Sequence, residues 1–237
     1  MISNEYQIGA FRGRMLVQRR GQVGGAKSVF VKISGIKNEL VFPTLGGMIK
    51  NPFKQGGKMF AGDLCEYRTD DNGRKPEIYL LKTFLVESAD GTTVKIVKDD
   101  YKHKPCAGDV IGVAPAKVGG AVTSKATIIS VAVGTEGSTD VWVLTMSDTF
   151  TASKGNVLVE ADSDGNMLVK NVNAVIDCDI DLLNAPATDD NDFDGARYMY
   201  TPSLGGLMYL NKMSPMPACV KELNQSKING WFQIQSV

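Results

Sequence analysis

Thr127-Ile-Ile-Ser-Val-Ala-Val133 and Val141-Trp-Val-Leu-Thr-Met146, joined by Gly134–Thr139, are the stretch on which the fold turns. β-branched and aromatic side chains crowd both arms, and these favour pleated, half-buried backbone. Two such runs around a glycine-bearing connection predict a hairpin. The same pattern recurs on both sides. Asp63–Arg68 and Glu77–Phe84 flank Asp70-Asp-Asn-Gly73, and Phe84–Glu87 and Thr92–Val97 flank Asp90-Gly91. Leu158–Glu160 and Met167–Lys170 flank Asp162-Ser-Asp-Gly165. Asp-Gly and Asn-Gly accept the positive φ angles of tight turns, so each pair predicts a hairpin. Val29, Val31 and Ile33 add a further strand by alternation. Helix is expected only as a short turn near Met216–Leu223, after Pro215 and Pro217. The expected class is mainly β, with antiparallel hairpins in sandwich- or barrel-like units and very little helix.

The chain has 237 residues, 43% hydrophobic and 22% charged, which is enough for one large core or two small ones. Its longest apolar stretch, around Ala126–Val133, is less than half the ~20 residues a membrane-spanning helix needs. Met1–Arg14 carries Glu5 and no apolar run, so no secretory signal is expected and synthesis in the cytoplasm is. The division expected is a basic Gly/Arg-rich arm at 1–27, a β domain at 28–117 and a second at 118–237. Ala116–Ser124, small and glycine-rich, is the expected linker. Lys58-Met-Phe-Ala-Gly-Asp63-Leu64 and Lys104-Pro-Cys-Ala-Gly-Asp109-Val110 share one pattern, read as repeated turn chemistry.

Net charge is zero but unevenly spread: residues 1–60 hold ten Lys/Arg against Glu5 and Glu39, while residues 151–237 hold six against eleven acids. Arg12, Arg14, Arg19, Arg20 and Lys27 lie among glycines with too little apolar content to fold alone. They are the candidate partner-binding residues, for a protein surface or a phosphate backbone. Asp177, Asp179 and Asp181 share one face of an extended segment, the acidic feature that matches this basic region.

Motifs with chemical meaning fall short of their requirements. Gly21–Ser28 resembles a phosphate-binding loop, but Ala26 replaces its last glycine and a strand follows where a helix is needed. Asp190-Asn-Asp-Phe-Asp-Gly195 opens like a calcium loop, but its twelfth position is Thr201 and not Glu. Cys65, Cys106, Cys178 and Cys219 are dispersed, and His103 is the sole histidine. No structural zinc is expected, and His103 and Cys106 are read as an exposed loop histidine beside an ordinary reduced thiol. No nucleophile–histidine pattern is apparent, so no enzyme, cofactor or metal is expected.

One resemblance bears on function. Thr127-Ile-Ile-Ser-Val131, Val141-Trp-Val-Leu-Thr145, Lys154-Gly-Asn-Val-Leu-Val-Glu-Ala161, Val169-Lys-Asn-Val-Asn-Ala-Val175 and Met216-Pro-Ala-Cys-Val-Lys221 carry it. Together they resemble the head-fibre and auxiliary (decoration) capsid proteins of tailed bacteriophages, notably the crAss-like phages. The resemblance covers roughly residues 123–237. It implies a non-enzymatic virion protein on the capsid exterior, bound to the major capsid protein, with further copies of itself or neighbouring virion proteins as the other expected partners. It would stabilise the shell or present a surface. A nucleic-acid-binding β module using the same arginines is the alternative expectation.

Overall fold

A computed structural model describes residues 47–51, 58–60, 62–69, 76–99, 102–176 and 213–221. At 17–18, 30–31, 180–182, 199–200, 206–209 and 232–235 it describes strand pairing only. The protein is mainly β, as expected, and among the described residues helix is confined to one turn at 218–221.

Six strands close into an antiparallel barrel: β7 (Thr83–Asp90), β8 (Thr93–Val97), β9 (Val110–Val113), β10 (Thr123–Glu136), β11 (Thr139–Met146) and β12 (Val157–Glu160). Around the barrel the order is β10, β11, β8, β7, β12, β9, and back to β10. The β7–β8 hairpin turns at Gly91, whose φ of 58° is a left-handed value that glycine adopts without a Cβ clash. β10 and β11 form the expected hairpin, but its loop is Gly137-Ser138, and Gly134 lies inside β10 opposite Val141. A Cβ on Gly134 would stand 2.8 Å from Val143 Cγ2, so close cross-strand packing, not a turn, requires the glycine there. After Glu160 the chain turns at Gly165 and returns as a single bridge, Ala161 to Met167, rather than a full strand.

The stretch 116–124, expected as a linker, connects β9 to β10 within the barrel. The expected boundary at 117/118 therefore falls between two hydrogen-bonded neighbours. Phe84, Val86, Val94, Ile96, Ile111, Ile128, Leu144, Met146, Phe150 and Leu158 fill the barrel. A barrel of this strand number has room for little beyond its own side chains.

A second sheet packs beside it, in the order β13 (Ala174–Val175), β5 (Leu64–Arg68), β6 (Glu77–Leu80), β3 (Gly47–Ile49) and β15 (Met199–Tyr200). β5 and β6 pair antiparallel as the sequence predicts. β3 instead pairs with β6 in parallel. Leu64, Leu81, Val159, Met167, Val169, Val172, Val175, Met213, Met216 and Val220 make a second core. Met213, Met216 and Val220 belong to the segment with the helical turn, which covers this core.

Two smaller sheets complete the described pairing. β16 (Gly206–Tyr209) lies between β17 (Phe232–Gln235), in parallel, and β2 (Phe30–Val31). β14 (Ile180–Leu182) lies between β1 (Val17–Gln18) and β4 (Lys58–Met59). Val17 is the register partner of Leu182 and Gln18 of Asp181.

Candidate functional site

Lys82 and Thr83 lie where the chain leaves the second sheet and enters the barrel, and among the described residues most of the buried polar groups, Asn51, Asp63, His103 and Asp109 with them, gather there. The two Ala-Gly-Asp turns supply the acids. In the first, Gly62 has φ 96°, Asp63 N–H donates to the Phe60 carbonyl at 3.0 Å, and Phe60 N–H donates to Asp63 Oδ2 at 2.7 Å. In the second, Gly108 has φ 88°, Asp109 N–H donates to the Cys106 carbonyl at 3.2 Å, and Cys106 N–H donates to Asp109 Oδ2 at 3.3 Å. The shared sequence pattern is thus one turn used twice. Each turn leaves the Oδ1 of a buried aspartate aimed at a cationic or polar partner.

Asp63 Oδ1 stands 2.9 Å from His103 Nε2, off the line of a straight hydrogen bond, and Ser214 Oγ donates to the same oxygen at 3.4 Å. His103 Nδ1 accepts the Thr83 N–H at 2.9 Å, which leaves the proton of a neutral imidazole on Nε2. This corrects the expectation of an exposed histidine: His103 is buried, as is Cys106. The flanking lysines misled because Lys104 is exposed while the ring between them turns inward to meet Thr83. With one ring nitrogen accepting a backbone N–H and the other against a carboxylate, His103 holds the turn to the barrel and is poorly placed to take up a substrate's proton.

Lys82 is almost wholly buried. Its Nζ lies 3.3 Å from Glu160 Oε2 and 3.7 Å from Asp109 Oδ1. Burial favours the neutral amine, but Glu160 and Asp109 outweigh it and hold Lys82 above its ordinary value. Burial likewise pushes Glu160 up, against the downward pull of Lys82. Asn51 completes the group. Its Nδ2 donates to Glu160 Oε2 at 2.7 Å and to the Leu80 carbonyl at 2.9 Å, and its Oδ1 accepts the Leu80 N–H at 2.7 Å. The Asn51 amide thereby completes both backbone bonds of one β6 residue. Asn173 does the same for Tyr67 of β5.

The pocket beside Asp63, Thr83, His103 and Ser214 gives a water's centre about 10 Å³, roughly the space of a single water. Small-molecule sites are far larger, typically about 300–1,000 Å³. Among the described residues no group of three or more His, Cys, Asp or Glu is arranged to hold a metal. Cys65, Cys106 and Cys219 are buried thiols, and burial together with Asp63 and Glu66 pushes Cys65 well up.

The candidate partner-binding residues Arg12, Arg14, Arg19, Arg20 and Lys27 lie outside the described residues. So do Cys178, the phosphate-loop-like segment 21–28 and the calcium-loop-like segment 190–195. Sequence reasoning missed Lys82, Glu160 and Asn51 as members of one group. A lysine inside the apolar run Tyr79-Leu-Leu-Lys-Thr-Phe-Leu-Val86 was the available signal for Lys82. No known protein family, curated protein or solved structure matches this chain.

Proposed function

We propose that this protein is a virion structural component that binds the exterior of a phage head as an auxiliary, decoration or head-fibre protein. It would do so through its basic amino-terminal segment, using Arg12, Arg14, Arg19, Arg20 and Lys27. The observation that best supports this reading is how the described interior is used. The barrel is packed with side chains, and the buried polar groups at its junction with the second sheet surround a space of about one water rather than a substrate-sized cavity. Such an interior suits a building block. In this reading the major capsid protein is the partner, copies of the chain lie side by side, and many weak contacts add up over a repetitive shell.

Val17 and Gln18 pair with β14, so removing the segment would also remove a strand; exchanging its charges is the sounder test. Changing the five basic residues together to Gln is expected to abolish co-sedimentation with purified capsids while leaving the circular dichroism spectrum unchanged. Undiminished capsid binding by the folded variant would overturn the assignment of those residues. If the arginines instead serve nucleic acid, the wild-type protein would bind DNA with an affinity that falls steeply as salt rises.

A further inference from the structure

An amine and a carboxyl held together out of water are the reactants of an amide, and the junction between the sheet and the barrel holds both. We propose that Lys82 and Asp109 condense into an intramolecular isopeptide crosslink, with Glu160 carrying the proton. The Lys82 and Asp109 side chains are 2% and 3% exposed, and Lys82 Nζ stands 3.7 Å from Asp109 Oδ1. In water the two ions are well hydrated and do not condense. Stripped of water, they pay a desolvation cost that a neutral amide does not. Fixed neighbours also react without the entropy loss of a bimolecular encounter.

The step balances without any outside reagent. An ammonium proton of Lys82 passes to Glu160, and the Nζ lone pair attacks Asp109 Cγ to form the C–N bond. Glu160 returns the proton to the departing oxygen as the C–O bond breaks. The second proton lost from nitrogen completes the leaving water. A positive and a negative group become a neutral amide and H₂O, with no change of oxidation state.

The surroundings assign the roles. Asp109 Oδ2 already accepts the Cys106 N–H at 3.3 Å, a donor that steadies the oxygen as the carbon becomes tetrahedral. Glu160 reaches Lys82 Nζ at 3.3 Å, is more exposed than Asp109, and is raised chiefly by burial, which suits a proton carrier. Asp109, the more deeply buried of the two carboxyls, is the one to be attacked. The product would close residues 82–109, including β7 and β8, into a covalent loop. That constrains the unfolded chain as a disulfide does. Each chain reacts once, so this is maturation and not turnover.

The test is the intact mass of the purified, folded full-length protein after incubation at neutral pH. The expected mass is one water below that of the sequence, unchanged by boiling in denaturant and reductant. Digestion is expected to yield a branched peptide joining Lys82 to Asp109. A full sequence mass would overturn the proposal. So would water loss mapped to Asp90-Gly91 or Asp164-Gly165, where a cyclic imide forms and mild base reverses it. A Glu160→Gln chain that stays folded is expected to keep its full mass; condensation at the wild-type rate would remove Glu160 from the mechanism.

Discussion

Leu158 and Val159 are consecutive residues of β12, yet they belong to different cores: Leu158 points into the barrel and Val159 into the core beneath the second sheet. Both are fully buried. β12 is therefore the shared wall of the molecule, and its two faces tie the sheet and the barrel together.

Truncating either face should weaken the whole structure. Leu158→Ala is expected to cost about 2–5 kcal/mol, the range for a large aliphatic side chain removed from a tight core. Val159→Ala should cost less, because fewer atoms are lost. Urea unfolding followed by circular dichroism is expected to show one transition moving to lower denaturant in both variants. Two separate transitions, only one of them shifted, would show that the cores unfold independently.

Asp63 accepts from two donors, the Phe60 N–H and the Ser214 hydroxyl, and its Oδ1 stands 2.9 Å from His103 Nε2. Removing the carboxylate leaves buried donors unpaired, which costs about 1–3 kcal/mol. Asp63→Ala is expected to fall in that range by urea denaturation. Asp148→Ala, on an exposed aspartate, is the control and should stay within about 0.5 kcal/mol of the wild type.

Gly112 sits opposite Val159 on β9 with no room for a side chain. A Cβ there would meet Val122 Cγ2 at 2.5 Å, Val122 Cβ at 2.8 Å and the Thr123 carbonyl oxygen at 3.0 Å. Gly112→Ala is expected to destabilise by about 1–3 kcal/mol through overpacking. Adding Val122→Ala should recover only part, because Val122 Cβ and the Thr123 backbone remain. Thermal melts of the three proteins give the comparison.

Glu160 gives stability a pH dependence of definite sign. Its carboxyl is raised in the folded state, so the folded protein holds that proton more tightly than the unfolded chain does. Its contribution is complete below about pH 4.5 and is lost as pH rises through the elevated folded value. Glu160→Gln is expected to flatten this part of the stability profile in urea titrations run from acid to neutral pH. An unchanged slope would mean that Glu160 titrates normally.

Local chemistry made much of the strand pattern legible. The Asp90-Gly91 turn needs only glycine's tolerance of positive φ, which the sequence states outright, and the shared Ala-Gly-Asp turn is equally local. Gly134 was legible as a glycine but not as a strand residue, because the reason for it is the Val143 side chain across the hairpin. His103 reads as exposed among lysines because its partners, Asp63 and Thr83, lie far back along the chain.

Composition, alternation and turn residues by themselves determined that this protein is built of β hairpins, with scarcely any helix among the described residues. Those signals act over a few residues, where side-chain sterics and allowed φ angles decide. Only the tertiary structure decided that the strands close into a barrel through β9 and β10, that Leu158 and Val159 serve two cores, and that Lys82 is enclosed between Asp109 and Glu160. Burial and pairing are properties of distant segments brought together, and a charged residue shows its partner only once folding has removed the water around both.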